Sequence, residues 1–305
     1  MSQEKASFDR RDFLKAASAA SVAMAATSAV AADEPAADKK MPQMQLGKYT
    51  LSRMVCGSNC FNAGSHLSNF VNQEMRTYYT PDQILATLRR CEAVGVSAWQ
   101  AGVGNIDLYH RYRDAGGKIH FMAIESNEPE SIKRLAEGGC IAVAHHGEAT
   151  DRFFKDKKFD KVNDGLKRFR DSGMLVGVST HMPEVIDEIE SRDWDVDYYM
   201  TCVYQRHRNE EELRKLMGEV PLPVGEVYLK DDPARMYQRV QKTKRTCLAF
   251  KILAAGRLCD HRDLVEQAYR QAFTSIKKGD GVIVGIYDRY SDQVAEGAAF
   301  VRKFG

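Results

Sequence analysis

From Ser52 to the C-terminus the sequence alternates eight times between a short β-rich run and a longer amphipathic run with helix-type boundaries. The strand candidates are Ser52 to Ser58, Val96 to Gln100, Ile119 to Glu125, Cys140 to His146, Leu175 to His181, Val196 to Tyr204, Cys247 to Leu253 and Gly281 to Tyr287. Most are apolar on both faces, as parallel strands covered by helices must be. Strict alternation forces parallel pairing, because each helix returns the chain to the edge where the previous strand began. Eight such units predict closure into a single (β/α)8 TIM barrel. The competing architecture, an open doubly wound sheet, would carry a glycine-rich phosphate loop after its first strand, and Cys56-Gly57-Ser58-Asn59 lacks that pattern.

The helix boundaries follow capping chemistry. Thr80-Pro81-Asp82 opens a helix that Gly95 closes, Glu128-Pro129 opens one closed by Gly138-Gly139, Met182-Pro183 opens another, and Ser291-Asp292 begins the last. Residues 207 to 246 break the rhythm as an insertion. Two helices, Glu210 to Met217 and Pro233 to Lys242, are expected there around Pro221-Leu222-Pro223-Val224-Gly225, as a lid or side wall.

Ahead of the barrel, Arg10-Arg11-Asp12-Phe13-Leu14-Lys15 precedes an Ala-rich run that ends in Ala29-Val30-Ala31. Charged region, weakly apolar region and small-residue cleavage site stand in the order of a signal peptide, and the paired arginines resemble the twin-arginine (Tat) export motif. Residues 1–31 are therefore expected to be an export signal read by the Tat machinery, 32–45 a linker and 46–305 the barrel, with the mature chain periplasmic or secreted. The run is diluted by Ser and Thr, so no stable membrane span is expected once it is removed. The formal charge of +2 gives no single-sign field to attract nucleic acid, which leaves a small molecule as the expected partner. Export permits disulfides. Seven cysteines without short paired spacing read mainly as buried thiols, with Cys56-x-x-x-Cys60 the one local pair.

In a parallel barrel the interior is filled with side chains, so chemistry gathers where the strands end. Gln100, Glu125, His145-His146, His181, Tyr204-Gln205, Lys251 and Asp288 stand at or just beyond such ends. Glu125, one of the two adjacent histidines and His181 come from consecutive strands, and two functions suit that set. One is acid/base chemistry, with a carboxylate tuning an imidazole. The other is a divalent metal held by Glu125, His146 and His181. Alternation lets only one of His145 and His146 face the mouth, and the sequence leaves the choice open. The remaining histidines, at 66, 110, 120, 207 and 261, read as surface or supporting groups. The arginines of Gln205-Arg206-His207-Arg208 either bind an anion or sit solvated, the usual outcome of a short charge run.

Several segments resemble the aldo-keto reductase barrel: Gly177-Val178-Ser179-Thr180-His181, the strand from Asp197 to Tyr204, Lys251-Ile-Leu-Ala-Ala-Gly256-Arg-Leu258, and Gly281 to Gly285 followed by Ser291-Asp292-Gln293-Val294. The resemblance covers most of Leu46 to Phe300 and is diffuse. It implies a nicotinamide cofactor, NADP, touching Ser179, Tyr204 and Lys251, with its phosphate at the Ser291 helix start. It also implies an Asp, Tyr, Lys and His tetrad, and here the chain departs from the family. Gln100 stands where Asp is expected, Glu125 where Lys is expected, and Tyr109 in a helix-like stretch is the nearest tyrosine; only the fourth-strand histidine is retained, within the His145-His146 pair.

The sequence thus leads to an exported aldo-keto-reductase-like barrel enzyme without the usual tetrad. It is expected to act on a sugar or other hydroxy-carbonyl compound by metal-assisted or acid/base chemistry through Glu125, His145 or His146, and His181. An NADP-dependent oxidoreductase and a noncatalytic ligand-binding barrel are the alternatives.

Overall fold

The computed structural model describes residues 40–222 and 226–305. The expected export signal and most of the linker lie outside the described residues. Two short strands come first, β1 (Gln43–Leu46) and β2 (Tyr49–Ser52), paired antiparallel as a hairpin. The barrel follows: β3 (Met54–Gly57), α1 (Asn69–Tyr78), α2 (Pro81–Ala93), β4 (Ala98–Gly102), α3 (Ile106–Asp114), β5 (His120–Glu125), α4 (Pro129–Glu137), β6 (Ala142–His145), α5 (Gly147–Lys155) and α6 (Asp160–Asp171). The second half holds β7 (Leu175–Thr180), α7 (Pro183–Ser191), β8 (Tyr198–Cys202), α8 (Glu210–Met217), α9 (Asp232–Lys242), β9 (Thr246–Phe250), α10 (Arg262–Ser275), β10 (Gly281–Gly285) and α11 (Gln293–Phe304). Strands β3 to β10 form a closed parallel barrel, with β10 pairing back onto β3 through Ile283 beside Val55. All eight expected strands are present, and the fold is the expected TIM barrel.

The hairpin was not foreseen. Strand β1 begins at Gln43, inside the segment read as linker, and its role is to plug the N-terminal end of the barrel. Thr246 Oγ1, at the start of β9, donates to Gln45 O at 3.2 Å, and Met44, Leu46 and Leu51 pack with inward residues such as Val55, Met122 and Tyr198. Gly281 makes room for the plug: a Cβ there would lie 2.6 Å from the Met44 sulfur. The plug leaves the C-terminal mouth as the barrel's open end.

Strand phase decides which groups reach that mouth. In β5, Met122 and Ile124 belong to the inner cluster while Phe121 and Ala123 face the helices. In β6, Ala142 and Ala144 point inward and Val143 outward. In β7, Val176 and Val178 point outward, which turns Ser179 inward. Side chains two apart share a face, so Glu125 and His145 take the outward phase, whereas His146 and His181, one residue beyond their strands, take the inward one.

A candidate active site at the barrel mouth

The C-terminal mouth opens into a cavity of about 410 Å³, within the usual range for a small-ligand site. His146, His181, Ser179, Lys251, Arg206 and Gln100 are among the side chains that line it. No helix among the described residues is long and apolar enough to cross a membrane.

His181 is the best-held group in the cavity. Its Nδ1 lies 2.7 Å from Asp151 Oδ2, its backbone N–H donates to the same oxygen at 3.1 Å, and both residues are buried. Asp151 comes from α5 and also accepts the Thr180 hydroxyl at 2.5 Å, so its carboxylate is fixed from two sides. Burial alone would depress the imidazole's pKa, but contacts with the Cys202 thiol and the Asp151 carboxylate outweigh it and push the pKa up to about 9. Arg206 pulls the other way. Its Nε donates to His181 Nε2 at 3.3 Å, a hydrogen bond that needs a lone pair on that nitrogen and so the neutral ring. Asp151 thus favours the charged ring, and the Arg206 contact at the opposite nitrogen favours the neutral one.

Arg206 is itself half-buried and ion-paired with Glu226, which also accepts from Tyr228 Oη at 2.9 Å and meets His66 Nδ1 at 2.7 Å. Burial would raise the Glu226 pKa, but His66 and Arg206 hold it down at about 2. His66 also faces Asn59 Nδ2 at 3.1 Å through Nε2, so the ring is neutral, with its proton on Nδ1 toward Glu226. Burial and the Lys251 charge keep its pKa below the usual value despite the Glu226 contact. This clasp ties the loop after β3 to the insertion across the mouth. Arg257 strengthens it, donating to His66 O at 3.1 Å and stacking 4.0 Å over the Tyr228 ring.

Two expected site residues are elsewhere. Glu125 is directed away from the cavity, and its Oε1 accepts the backbone N–H groups of Ser126 at 2.6 Å and Glu128 at 3.2 Å; it closes the β5–α4 turn. His145 is fully buried behind the barrel, with Nδ1 2.7 Å from Thr150 Oγ1 and its ring beside Phe153 and Phe169. Burial pushes its pKa down to about 4, so it is neutral packing. Of the adjacent pair, His146 is the one in the cavity, its own pKa lowered by burial. The expected metal set thereby loses its carboxylate, and no cluster of three ligand-type side chains occurs among the described residues. Asp288 is likewise occupied: it accepts from Tyr79 Oη, Thr87 Oγ1 and Arg90 Nη1, joining the end of β10 to α2. Tyr109 packs against Phe121 on the helix side.

The residues expected to hold NADP do not assemble. Ser179 and Lys251 line the cavity, but Tyr204 is packed against Tyr228 outside it and Ser291 is exposed. At the α11 start, where a phosphate would sit, the Asp292 carboxylate already accepts the Ala295 N–H at 3.0 Å and is paired with Arg90. That anion competes directly with a phosphate, so the chain's residues do not fit the cofactor in the expected pose.

Asp151, Arg206, Glu226 and His66 are the site groups not expected from sequence. Only Arg206 carries a signal, in a charge run of the kind whose usual outcome is solvation. Both arginines of that run are in fact paired, Arg208 with buried Asp232. The seven cysteines are free thiols, and Cys60 lines the cavity while Cys56 is buried.

No family model matches the chain. No curated protein matches it either. Among solved structures it is similar to a truncated 3-deoxy-D-arabino-heptulosonate 7-phosphate synthase from Thermotoga maritima, at 11% identity and TM-score 0.51 over 87% of this chain and 91% of that one. It is also similar to a glycerol dehydrogenase of the aldo-keto reductase type from Gluconobacter oxydans, at 12% identity and TM-score 0.51 over 87% and 90%. A synthase and a dehydrogenase match equally well, so what the chain shares with them is the TIM-barrel architecture.

Proposed function

We propose that this chain is an enzyme that moves protons on a polar small molecule, a sugar or other hydroxy-carbonyl compound, held in the barrel mouth. The observation that carries the reading is the buried Asp151–His181 pair beside the cavity. Asp151 fixes the imidazole's orientation and favours its charged form, while Arg206 favours the neutral one. A substrate oxygen that displaces Arg206 from Nε2 receives a proton from His181. With Arg206 in place the Nε2 lone pair is occupied and the Nδ1 proton is held by Asp151, so the ring gives or accepts at Nε2 only once the substrate has displaced Arg206 from it, and the free Nε2 is then the general acid/base. Arg206 supplies positive charge for a substrate carboxylate, phosphate or polarised carbonyl.

Acid/base chemistry is favoured over the metal-assisted route because Glu125 is committed to the β5–α4 turn. Export by the Tat route belongs to the same reading, supported by Arg10-Arg11 and the small-residue run after it. A proton-moving enzyme betrays itself before its product is known. Hydroxy-carbonyl compounds incubated with the purified chain in D2O should lose the proton next to the carbonyl, followed by proton NMR, and His181→Asn should abolish the exchange. Binding without exchange across aldoses, ketoses and 2-oxo acids would turn the reading toward a noncatalytic ligand-binding barrel.

A further inference from the structure

Lys251 is the cation lining the cavity to which the described residues give neither a hydrogen-bond acceptor nor an ion-pair partner. Its neighbour Arg206 is paired with Glu226. It is the first residue beyond β9, and its backbone is left-handed, with φ of 59°. The same turn contains Ala254 and Ala255 at φ 49° and 52°, then Gly256 at φ 92°. Three side-chain-bearing residues in a region that favours glycine make this a strained turn, and strain of that kind is retained where it places a functional group. Across the mouth, Ala63 and His66 are also left-handed, at φ 55° and 57°. Five of the eight left-handed non-glycine residues among those described thus stand in the two loops beside the cavity that Lys251 lines, the other three being Asn127, Lys157 and Asp193.

A lysine's usual state is a hydrated ammonium ion, which has no lone pair. Here burial, aided by the Arg206 charge, lowers its pKa. An amine held beside a second cation and withdrawn from water is the arrangement that makes lysine a nucleophile.

We propose that Lys251 is a covalent site that forms an imine with the carbonyl group of an aldehyde or ketone substrate. The amine lone pair attacks the carbonyl carbon, the C–N bond forms, and the C=O π pair moves to oxygen, which takes a proton. The carbinolamine then loses that oxygen as water with a second proton, and the nitrogen gives up one of its own. In sum, amine, carbonyl compound and one proton become iminium and water. His181 and His146, which line the same cavity, are the groups that supply and receive these protons. The iminium accepts the electron pair released when a bond at the adjacent carbon breaks, which acidifies the proton there. This deepens the acid/base reading and rests on it for the proton donor, but the covalent bond is detectable without turnover.

The test is reductive trapping. The full chain is incubated with glyceraldehyde, dihydroxyacetone or pyruvate and sodium cyanoborohydride, which reduces iminium ions to stable amines, and the modified lysines are located by peptide mass spectrometry. One adduct at Lys251 is expected at neutral pH, labelled at least tenfold faster than any exposed lysine, and absent from Lys251→Arg and Lys251→Met. Labelling spread over surface lysines by exposure, or an unchanged adduct pattern in either variant, overturns the proposal. The wild-type pH profile needs no variant to fold: Lys251 labelling should half-saturate at lower pH than the exposed lysines, and coincident profiles also overturn it. Trapping at Lys251 without solvent exchange would sink the acid/base reading alone. Exchange that survives Lys251→Met, without trapping, would sink the imine alone.

Discussion

Asp151 holds His181 by two hydrogen bonds to one carboxylate oxygen, 2.7 Å from the ring Nδ1 and 3.1 Å from the backbone N–H, so the loop after β7 and the ring plane are fixed together. Asp151→Asn keeps the shape and removes the charge. The His181 pKa should fall from about 9 toward the ordinary value near 6.5, measured by NMR titration of the ring protons. Solvent exchange into substrate should drop by roughly 10²- to 10⁴-fold, the scale of a lost general acid/base. A pKa that stays near 9 would show that the carboxylate does not control this histidine.

The same pair makes stability depend on pH in a stated direction. His181 binds its proton more tightly folded than unfolded, so its contribution is fully present below the unfolded pKa of about 6.5 and is lost as pH rises through about 9. Glu226 has the opposite sign. Held at about 2 in the fold, it stabilises above about 4.3, the unfolded value, and that contribution is lost as pH falls through about 2. Chemical denaturation of wild type and Asp151→Asn between pH 6 and 10 should converge at the alkaline end. Curves that stay parallel would remove His181 as the cause.

Glu125→Gln should leave solvent exchange and imine trapping at wild-type level. Its carboxylate accepts the Ser126 and Glu128 N–H groups and does not line the cavity. The amide oxygen can still accept, so the expected cost is about 1 kcal/mol of stability, the weight of a weakened charge-assisted hydrogen bond. Loss of turnover in a folded Glu125→Gln chain would mean that the turn is part of the site.

What could be read in the sequence was set by local periodicity. The eight strands and the capped helices follow from patterns a few residues long, and Glu210–Met217 was bounded from its own residues. Strand phase was not legible: β5 is apolar on both faces, so nothing local distinguishes inward Ile124 from outward Glu125. Closure of the ring decides that, by leaving the small Ala142 and Ala144 inside and forcing His145 out. Asp151 lies 30 positions before its partner on a helix that otherwise reads as ordinary amphipathic surface. The plug was missed because a four-residue strand next to a polar segment carries little signal without the barrel end it covers.

The plug gives a prediction that separates stability from chemistry. Leu51 is fully buried beneath the barrel, and Leu51→Ala should cost roughly 2–5 kcal/mol, the range for a truncated core leucine. Gly177→Ala acts one layer higher, where a Cβ would lie 2.4 Å from the Tyr198 ring that fills the interior. The ring has nowhere to move in a packed core, so this variant should be destabilised by overpacking of about 1–3 kcal/mol or more. Both should lower the denaturation midpoint while Lys251 trapping in the folded fraction is unchanged, because neither residue lines the cavity.

The start of α11 provides the discriminating experiment on the nicotinamide alternative. Asp292 accepts the Ala295 N–H and pairs with Arg90, so the helix N-terminus already has its anion. A phosphate approaching the same donors meets a carboxylate instead of free N–H groups, and the repulsion acts over the few ångströms where the helix dipole would otherwise help. Fluorescence titration of the wild-type chain with NADPH should therefore give no saturable change up to millimolar cofactor. Asp292→Ala should lose about 0.5–2 kcal/mol of stability through the missing cap. If NADPH bound tightly to the wild type, Asp292 would have to swing away to admit it, and the cavity around Lys251 and His181 would then be a cofactor channel rather than a carbonyl-substrate site.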